Sequence, residues 1–393
     1  MLAKRVNEIE TSTTTMIFAE AKKLRAKGIN IIDLSVGEPD FNTPNNIKEA
    51  GKSAIEGNKT KYTFNEGTVE LRNAIIAKLK RDNQLDYKLN EIIVSSGAKQ
   101  GVFNAIFALV NPGDEVIISS PYWVSYPSMV SLAGGKSVII DTDENTGFKI
   151  TPEQLSTAVS SKTKLLILCN PSNPTGTVYT IEELKALAEI VKRNNFYVIS
   201  DEIYEKLIYD DLDFISFASL DEGIKKRTIL VNGLSKSFAM TGWRIGYAAA
   251  SEEIISAMNR IQSHTTSHAS TISQQAAVEA IVGPQNVITE MLSEFNKRRE
   301  YLLKEISNIG QFTCYKPHGA FYLFPNISKY LHRKLTTFQI ENSHDFVIYL
   351  LNEAHVATVP GSAFGSEGYL RISYSTSMDN LQEAISRLKT TLK

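Results

Sequence analysis

A lysine and an arginine stand close together in an apolar stretch of the sequence, where charged side chains are unusual. The stretch reads SKSFAMTGWRIGYAAA, from Ser235 to Ala250, and it contains Lys236 and Arg244. Charged side chains are rarely buried without a partner, so a chemical role needs a partner for each of them. Two side chains that reach the surface along their aliphatic stems would explain this stretch equally well. The rest of the chain has to decide between these interpretations.

Polar side chains that could face a ligand follow two strand-like segments. Pro171–Gly176, PSNPTG, forms a tight turn after a buried strand, and such a turn can fix the amide of Asn173 at the edge of a sheet. Asp201 ends another strand and Tyr204 follows three residues later, which lets both side chains point into one crevice. An ordinary turn and a helix N-cap aspartate are the alternatives for these two motifs.

Three further segments carry groups suited to an anion or to a flat ring. SSGAKQGVFNAIF is a strand–glycine–helix junction, and the backbone N–H groups of Gly97, Ala98 and Lys99 suit a phosphate there. Trp123, in PYWVSYP, offers a face for stacking, although a core tryptophan is the alternative. Arg371, in YLRISYSTS, lies in a strand-like run and needs an anion if its side chain points inward. The alternative is a salt bridge at the surface.

The candidate site residues can lie close together only if a sheet brings the ends of their strands together. Seven short apolar segments are predicted as strands, at 91–96, 114–120, 136–141, 164–170, 196–201, 228–233 and 245–250. Amphipathic helices lie between several of them, most clearly at 97–110 and at 180–195, where Thr180 and Glu183 form a capping box. This alternation predicts an α/β fold with a mostly parallel sheet covered on both faces. Ligands bind at the carboxyl ends of the strands in such sheets, which is where the polar residues cluster.

The 393 residues exceed the size of one ordinary core, which predicts two domains. Residues 45–290 hold the strand–helix alternation and form the predicted large domain. Residues 291–393 begin with a charged helix and continue into short strands, which is typical of a smaller α+β domain. We expect this smaller domain to include the N-terminal arm, residues 1–44.

Composition excludes several classes of protein. The net charge is −1 and the basic residues are scattered, so no nucleic-acid-binding face is expected. No apolar run reaches the roughly 18 residues that a membrane span needs. Two distant cysteines and the lack of a signal-like N-terminus favour the cytoplasm, and Cys169 reads as core packing. The segments at 135–137 and 96–99 imitate a P-loop and an acyl-enzyme motif but lack the partner elements. No dinucleotide-binding glycine motif occurs, and no histidine spacing predicts a metal site.

The order of these motifs resembles the fold-type I pyridoxal-phosphate aminotransferases of class I. The motifs, in chain order, are the glycine–helix anion site, the tryptophan, N-P-x-N-P-T-G, D-x-x-Y, S-K-x-x-x-x-x-G-x-R and the late arginine. Within that family the chain is similar to the bacterial branch of the aspartate aminotransferase group. The resemblance runs from RVNEIETSTTT through LSVGEPDF, KYTFNEGTVELR and FAMTGWRIGYA to LRISYSTS, and so covers essentially the whole chain.

The resemblance implies pyridoxal 5′-phosphate as cofactor and a role for each residue of the opening stretch. Lys236 matches the lysine that forms the Schiff base with the cofactor aldehyde and later moves the substrate proton as base and acid. Arg244 matches the residue that binds the cofactor phosphate. Asp201 matches the acid that keeps the ring nitrogen protonated, and Tyr204 and Asn173 match the groups that bond the ring 3′-oxygen.

The remaining site residues follow from the same resemblance. Trp123 stacks on the ring, the amides of Gly97, Ala98 and Lys99 hold the phosphate, and Ser235 is a further candidate contact. Arg371 grips the substrate α-carboxylate with help from Asn173 and the backbone of Gly37. Tyr62 matches a tyrosine that reaches the phosphate from the other subunit, which implies a homodimer with shared active sites. The expected kinetics are ping-pong, between an amino acid and a 2-oxo acid.

Two departures from the family pattern bear on substrate choice. Gly233 stands where many members carry a phosphate-binding serine. The segment IQSHTTSHAS lacks the arginine that the animal-type branch uses for the side-chain carboxylate, and Arg260 is out of register. The bacterial branch uses a lysine with hydroxyls of the N-terminal arm, and Lys99, Ser12 and Thr14 match those positions. We therefore expect aspartate as amino donor and 2-oxoglutarate as acceptor, with glutamate or aspartate–prephenate transfer, an aromatic or neutral amino-acid specificity, and a non-catalytic binding protein as alternatives.

Overall fold

The structure is a computed structural model, and it describes residues 3–7, 9 and 13–393. Among these residues, no helix is both long and apolar enough to cross a membrane. The α-helices are α1 Lys4–Asn7, α2 Thr13–Ala26, α3 Asn45–Glu56, α4 Val69–Asn83, α5 Ala98–Leu109, α6 Ser125–Leu132, α7 Pro152–Ala158, α8 Ile181–Asn194, α9 Glu222–Lys225, α10 Glu252–Ser263, α11 Thr271–Val282, α12 Asn286–Ile306, α13 Ser343–Tyr349 and α14 Met378–Thr391. The strands are β1 Ile32–Asp33, β2 Ile92–Ser95, β3 Glu115–Ser120, β4 Lys136–Asp141, β5 Thr163–Cys169, β6 Tyr197–Asp201, β7 Thr228–Gly233, β8 Gly246–Ala249, β9 Tyr322–Leu323, β10 Arg333–Leu335, β11 Phe338–Ile340, β12 Val356–Ala357, β13 Val359–Pro360 and β14 Leu370–Ser373.

A seven-stranded sheet forms the centre of the molecule, in the order β2-β8-β7-β6-β5-β3-β4. Its strands coincide with the seven segments predicted from the sequence. The neighbours from β7 to β4 pair in parallel, whereas β8 runs antiparallel to both β7 and β2. The expected α/β fold with a mostly parallel sheet is therefore confirmed, with one strand reversed.

Alternation of side chains explains why the central strands read as continuous apolar runs. In β5, Leu165 and Ile167 pack on one face of the sheet, in a cluster shared with α5, α6 and α10. Leu166 and Leu168 pack on the opposite face, in a cluster shared with α7 and α8. All four side chains are buried, because successive residues of a strand point to opposite faces and helices cover both.

The predicted capping box at the start of α8 is present. The Thr180 side chain accepts a hydrogen bond from the backbone N–H of Glu183, at 3.3 Å, and the Glu183 carboxylate accepts one from the backbone N–H of Thr180, at 2.8 Å. These bonds satisfy backbone donors that have no partner within the helix. The helix thus begins where the sequence indicates.

A third hydrophobic cluster joins the two ends of the described chain. It gathers residues of α2, α12, α13 and α14 with those of β9, β12 and β14. Strand β1 pairs in parallel with β12, and β13, β14 and β9 form an antiparallel three-stranded sheet. This cluster occupies the region expected for the smaller domain, although the division into two domains stays a prediction.

Candidate active site

A cavity of about 550 Å³ lies where the carboxyl ends of the parallel strands meet the loop after β1 and the short strands near the C-terminus. Most of the site residues predicted from the sequence line it. They are Gly37, Ala98, Lys99, Trp123, Asn173, Asp201, Tyr204, Ser235, Lys236, Arg244 and Arg371. The position of the cavity agrees with the rule that ligands bind at the carboxyl ends of strands in open α/β sheets.

The Lys236 amine points into this cavity from the loop that follows β7. Its Nζ donates a hydrogen bond of 2.5 Å to the backbone carbonyl of Gly37. Burial lowers the pKa of the amine to about 8, and the nearby positive charge of Arg371 acts in the same direction. A lysine in this state is a usable nucleophile or base near neutral pH.

The Asp201 carboxylate stands at the end of β6 and is buried. Its Oδ2 accepts a 2.7 Å hydrogen bond from the hydroxyl of Tyr126, and its Oδ1 accepts a longer one from the backbone N–H of Ile203. Burial raises the pKa of Asp201, and the hydrogen bond from Tyr126 opposes that rise. The carboxylate is therefore held in a fixed orientation and is ready to pair with a buried cation.

The guanidinium of Arg244 lies against the backbone of the strand–helix junction at Gly97. It donates to the carbonyls of Thr241 and Ser96, at 2.9 and 3.2 Å, and no described carboxylate pairs with it. Gly97 has φ of +83°, and a Cβ there would collide with the Arg244 guanidinium. A residue without a side chain is thus required for the arginine to approach this turn.

Helix α5 begins at this junction without a side-chain cap. The first backbone N–H groups of a helix have no partner within the helix, so this end is a site for an anion. Ala98 and Lys99, its first two residues, both line the cavity. The Lys99 amine lies 4.9 Å from the centroid of the Trp123 ring, and burial lowers its pKa, with Arg244 acting in the same direction.

The Arg371 guanidinium reaches the cavity from β14. It donates to the Oδ1 of Asn173 at 3.1 Å and to the carbonyl of Ser35 at 2.6 Å, while its buried Nε has no partner. It pairs with no carboxylate of the described chain, and burial lowers its pKa. A buried guanidinium of this kind suits a carboxylate ligand, which it can bind in a bidentate manner.

The cavity is positively charged overall. Four basic residues line it, and only two acidic ones do, Glu38 and Asp201. The chain as a whole has a net charge of −1, so this excess is local. Together with the free helix end, the charges fit a ligand set that carries a phosphate and carboxylates.

Some predicted site residues lie elsewhere. Tyr62 is 92% exposed and contacts the ring of His268, and it does not line the cavity of its own chain. Ser12 lies outside the described residues. Thr14 lies in α2, with its side chain outside the description. Gly97 contacts the site only through its backbone and Arg244.

Other cavity residues were not assigned from the sequence. Tyr126 follows Trp123 by three residues in PYWVSYP, and this i,i+3 spacing could have indicated that both side chains lie on one face of a helical turn. Tyr322, in GAFYLFPNI, and Glu38, in LSVGEPDF, had no such local signal. Cys169 was interpreted as core packing. The structure agrees, because Cys169 packs against the cluster shared with α5, α6 and α10, and it adds that Cys169 also lines the cavity, where burial raises the pKa of its thiol to about 12.

Comparison with known proteins gives matches along nearly the whole chain. Residues 29–388 match the family described as aminotransferase class I and II. The sequence is 49% identical over 393 residues to an aspartate aminotransferase of Bacillus sp. (strain YM-2), covering 100% of this chain and 99% of the relative. It is 45% identical to an aspartate/prephenate aminotransferase of Nitrosomonas europaea, covering 100% and 99%. The crystal structure of an aspartate aminotransferase from Rhizobium meliloti superposes with a TM-score of 0.97, at 43% identity, covering 100% and 98% of the two chains.

Proposed function

This protein belongs to the aminotransferase class I and II family, and we propose that it is an aspartate aminotransferase that transfers the amino group between L-aspartate and 2-oxoglutarate. The observation that carries this proposal is one cavity that unites the Lys236 amine, an anion site at the start of α5 and the unpaired guanidinium of Arg371. The relatives named aspartate aminotransferase, at 46–49% identity, support the choice of substrate.

The residues of the cavity fit pyridoxal 5′-phosphate as the cofactor. Arg244, the first turn of α5 and Ser235 would hold its phosphate, and Lys236 would carry the covalent link. The side chains that would face its ring are those of Trp123, Asn173, Asp201 and Tyr204. When bound, this cofactor supplies an aldehyde that takes up the amino group and a ring that stabilises negative charge at the substrate α-carbon.

Two cations on different elements would select a dicarboxylic substrate. Arg371 binds the α-carboxylate, since its guanidinium is fixed by Asn173 and Ser35 and has no acidic partner in the described chain. Lys99 binds the side-chain carboxylate, because its amine lies over the ring of Trp123 and pairs with no carboxylate of the described residues. A lysine is a point charge without a fork, so discrimination among dicarboxylates is expected to be loose.

Lys236 would move the proton at the substrate α-carbon. Its pKa of about 8 lets the amine accept that proton and release it again near neutral pH. The carbonyl of Gly37, which accepts its hydrogen bond, keeps the amine directed into the cavity. Since water would compete for the same proton, the buried walls of the cavity favour transfer through the lysine.

Prephenate is a second candidate acceptor. The Nitrosomonas europaea relative is named an aspartate/prephenate aminotransferase, at 45% identity over the full chain. Prephenate also carries two carboxylates, so the same two cations would meet it. This activity is compatible with transfer from aspartate and does not replace it.

We further propose a homodimer in which each subunit completes the site of the other. Tyr62 and Phe64 are 92% and 65% exposed, which is unusual for two large aromatic side chains so close in sequence. A second copy that covers them would bring the Tyr62 hydroxyl to a phosphate that its own chain cannot reach. The exposure of Tyr62 outside the cavity supports this arrangement.

The proposed function is tested by a panel of donors and acceptors on the purified protein, together with trapping by borohydride. Aspartate with 2-oxoglutarate should give the highest kcat/KM, with glutamate, prephenate, phenylalanine and alanine as comparison substrates. Peptide mapping after reduction should place the pyridoxyl label on Lys236. A higher kcat/KM for phenylalanine or alanine than for aspartate would refute the substrate choice. A label on any other lysine, or no yellow cofactor complex, would refute the function itself.

A further inference from the structure

Tyr322 occupies the point of the cavity where the proposed cofactor side and substrate side meet. It begins β9, is fully buried and lies opposite Ser373 in β14, the strand that carries Arg371. Backbone pairing on one side and the cluster of Phe321 and Tyr204 on the other fix its ring. Neither the motifs of the sequence nor the comparisons assign this residue a role.

The hydroxyl of Tyr322 is bonded to the hydroxyl of Tyr204. The two oxygens are 2.8 Å apart, and both side chains are buried. The backbone of Gly37 closes the other side, because a Cβ on that glycine would lie 2.8 Å from the Tyr322 hydroxyl. The phenol of Tyr322 is therefore held against Tyr204 and has little freedom to turn away.

The ring of Tyr322 is stacked on the guanidinium of Arg371. The Arg371 Cζ lies 4.5 Å from the centroid of that ring and 5.0 Å from that of Phe364. A cation over an aromatic face is attracted by it, and the attraction is larger where water is excluded. The two rings thus add to the hydrogen bonds to Asn173 and Ser35 that hold the guanidinium in place.

We propose that Tyr322 is a positioning residue that couples the carboxylate-binding guanidinium of Arg371 to the hydroxyl of Tyr204. The positive charge of Arg371, which lies over its ring, makes Tyr322 the better proton donor of the tyrosine pair. Tyr204 then accepts from Tyr322, and its own proton is directed into the cavity. This inference rests on the proposed function, since it assigns the Tyr204 proton to the cofactor.

The experiment compares three variants of the full-length protein loaded with pyridoxal phosphate. Tyr322→Phe removes the hydroxyl and keeps the ring over Arg371, whereas Tyr322→Leu removes both. Tyr374→Phe is the matched control, because that buried hydroxyl bonds to the carbonyl of Ala320 and does not line the cavity. Two quantities are measured: the midpoint pH of the visible absorption change of the bound cofactor, and the Kd for succinate, an unreactive dicarboxylate, with the cofactor-free protein.

The hydroxyl and the ring of Tyr322 have different expected effects. Tyr322→Phe should raise the midpoint pH by about 0.5–1 unit, since Tyr204 loses the donor that orients its proton. Its succinate Kd should stay within about threefold of the wild-type value, because the stacked ring remains. Tyr322→Leu should raise the midpoint to the same extent and weaken succinate binding about tenfold. Tyr374→Phe should change neither quantity.

Three results would overturn the inference. An unchanged midpoint in Tyr322→Phe would show that the hydroxyl does not act on Tyr204, and equal succinate affinities in the Phe and Leu variants would show that the ring does not hold Arg371. A midpoint shift in Tyr374→Phe as large as that in Tyr322→Phe would also overturn it, since a general loss of packing would then explain both. Failure of the wild type to form any coloured complex would instead refute the proposed function, while the succinate measurements would still test the ring.

Discussion

Tyr126 donates a 2.7 Å hydrogen bond to Oδ2 of Asp201, and thereby ties α6 to the end of β6 inside the cavity. The same tyrosine packs edge-on against the ring of Trp123, with the centroids 5.2 Å apart. One side chain thus orients both the acid and the aromatic face of the proposed cofactor site. The hydrogen bond also favours the ionised carboxylate, against the effect of burial.

Removal of that hydrogen bond should move the acid limb of the pH profile. In Tyr126→Phe the pKa of Asp201 rises further, because burial is no longer opposed by the hydroxyl. We expect the acid limb of kcat/KM for aspartate to shift upward by about one pH unit. The control is Tyr179→Phe, whose buried hydroxyl accepts from the backbone of Ile150 outside the cavity. Tyr179→Phe should lose stability without a shift of the acid limb. An unshifted acid limb in Tyr126→Phe would contradict the role given to Tyr126.

The close approach of Arg244 to Gly97 predicts a specific loss on adding one methyl group. Gly97→Ala should weaken pyridoxal phosphate binding about tenfold or more, since the new Cβ displaces the guanidinium. Gly113→Ala is the control for backbone strain. Gly113 also has a positive φ, of +89°, but an added Cβ there would meet no neighbouring atom. Both variants should lose about 1 kcal/mol of stability from the left-handed backbone. Equilibrium dialysis and urea unfolding measure the two effects, and equal cofactor affinities in the two variants would rule out the steric explanation.

The buried amine of Lys236 should reduce the stability of the cofactor-free protein below pH 8. Its pKa falls from 10.5 to about 8 on folding, so the unfolded chain binds the extra proton between these values and wild-type stability rises with pH there. Lys236→Met should therefore be more stable than wild type at pH 7, by roughly 2 kcal/mol once partial exposure is allowed for. That advantage should shrink as the pH rises from 8 to 10.5. Urea unfolding at pH 7, 8.5 and 10 checks this, and a variant less stable than wild type at pH 7 would disprove it.

Loss of the Lys99 charge should change substrate preference more than overall activity. Lys99→Met should lower kcat/KM for aspartate by about 30–100-fold and leave that for alanine within about threefold, since alanine has no side-chain carboxylate. The control is Lys164→Met, because the Lys164 amine also lies near an aromatic ring, that of Tyr197, but outside the cavity. Steady-state kinetics with both donors provide the measurement. A parallel loss for aspartate and alanine would assign Lys99 to the cofactor alone.

Tyr62 tests whether active sites are shared. Tyr62 is exposed and does not line the cavity of its own chain, so in the proposed dimer its hydroxyl would contact the phosphate bound by the second copy. Tyr62→Phe should therefore raise the Kd for pyridoxal phosphate several-fold while light scattering still shows a dimer. An unchanged Kd, or a monomeric protein with full activity, would exclude the shared site.

The sequence located the elements of the sheet because buried strands and amphipathic helices leave local patterns. Residues 164–170 could be placed to within a residue, since a short apolar run between two helices has few other solutions. The direction of β8 was not inferred, although its signal was present. Parallel neighbours usually need a crossover that contains a helix, and residues 234–245 contain only turns and the short 3-10 helix Thr241–Trp243.

Apart from Tyr126, the side chains missed within the site are those that depend on contacts between distant segments. Tyr204 and Tyr322 are 118 residues apart in sequence and meet only because β9 lies over the end of the large sheet. Lys236, Asn173 and Asp201 were found because each belongs to a short motif, whereas Tyr322 belongs to none. Periodicity indicates that a residue is buried and on which face of its element, but not which distant residue it will contact.

The reversed direction of β8 places Lys236 and Arg244 in one loop of the large sheet, whereas Arg371 lies on a different sheet. The chain leaves the large sheet after Gly233 and re-enters it at Gly246 on the same edge, so Lys236 and Arg244 share one short loop. Arg371 lies on β14, in the three-stranded sheet β13-β14-β9. Any sliding of the three-stranded sheet relative to the large sheet would change the distance between Arg371 and Lys236, while the distance between Lys236 and Arg244 stays set by their shared loop. In the proposed function, the first distance would adjust to substrates of different length while the spacing of the proposed cofactor residues stayed the same.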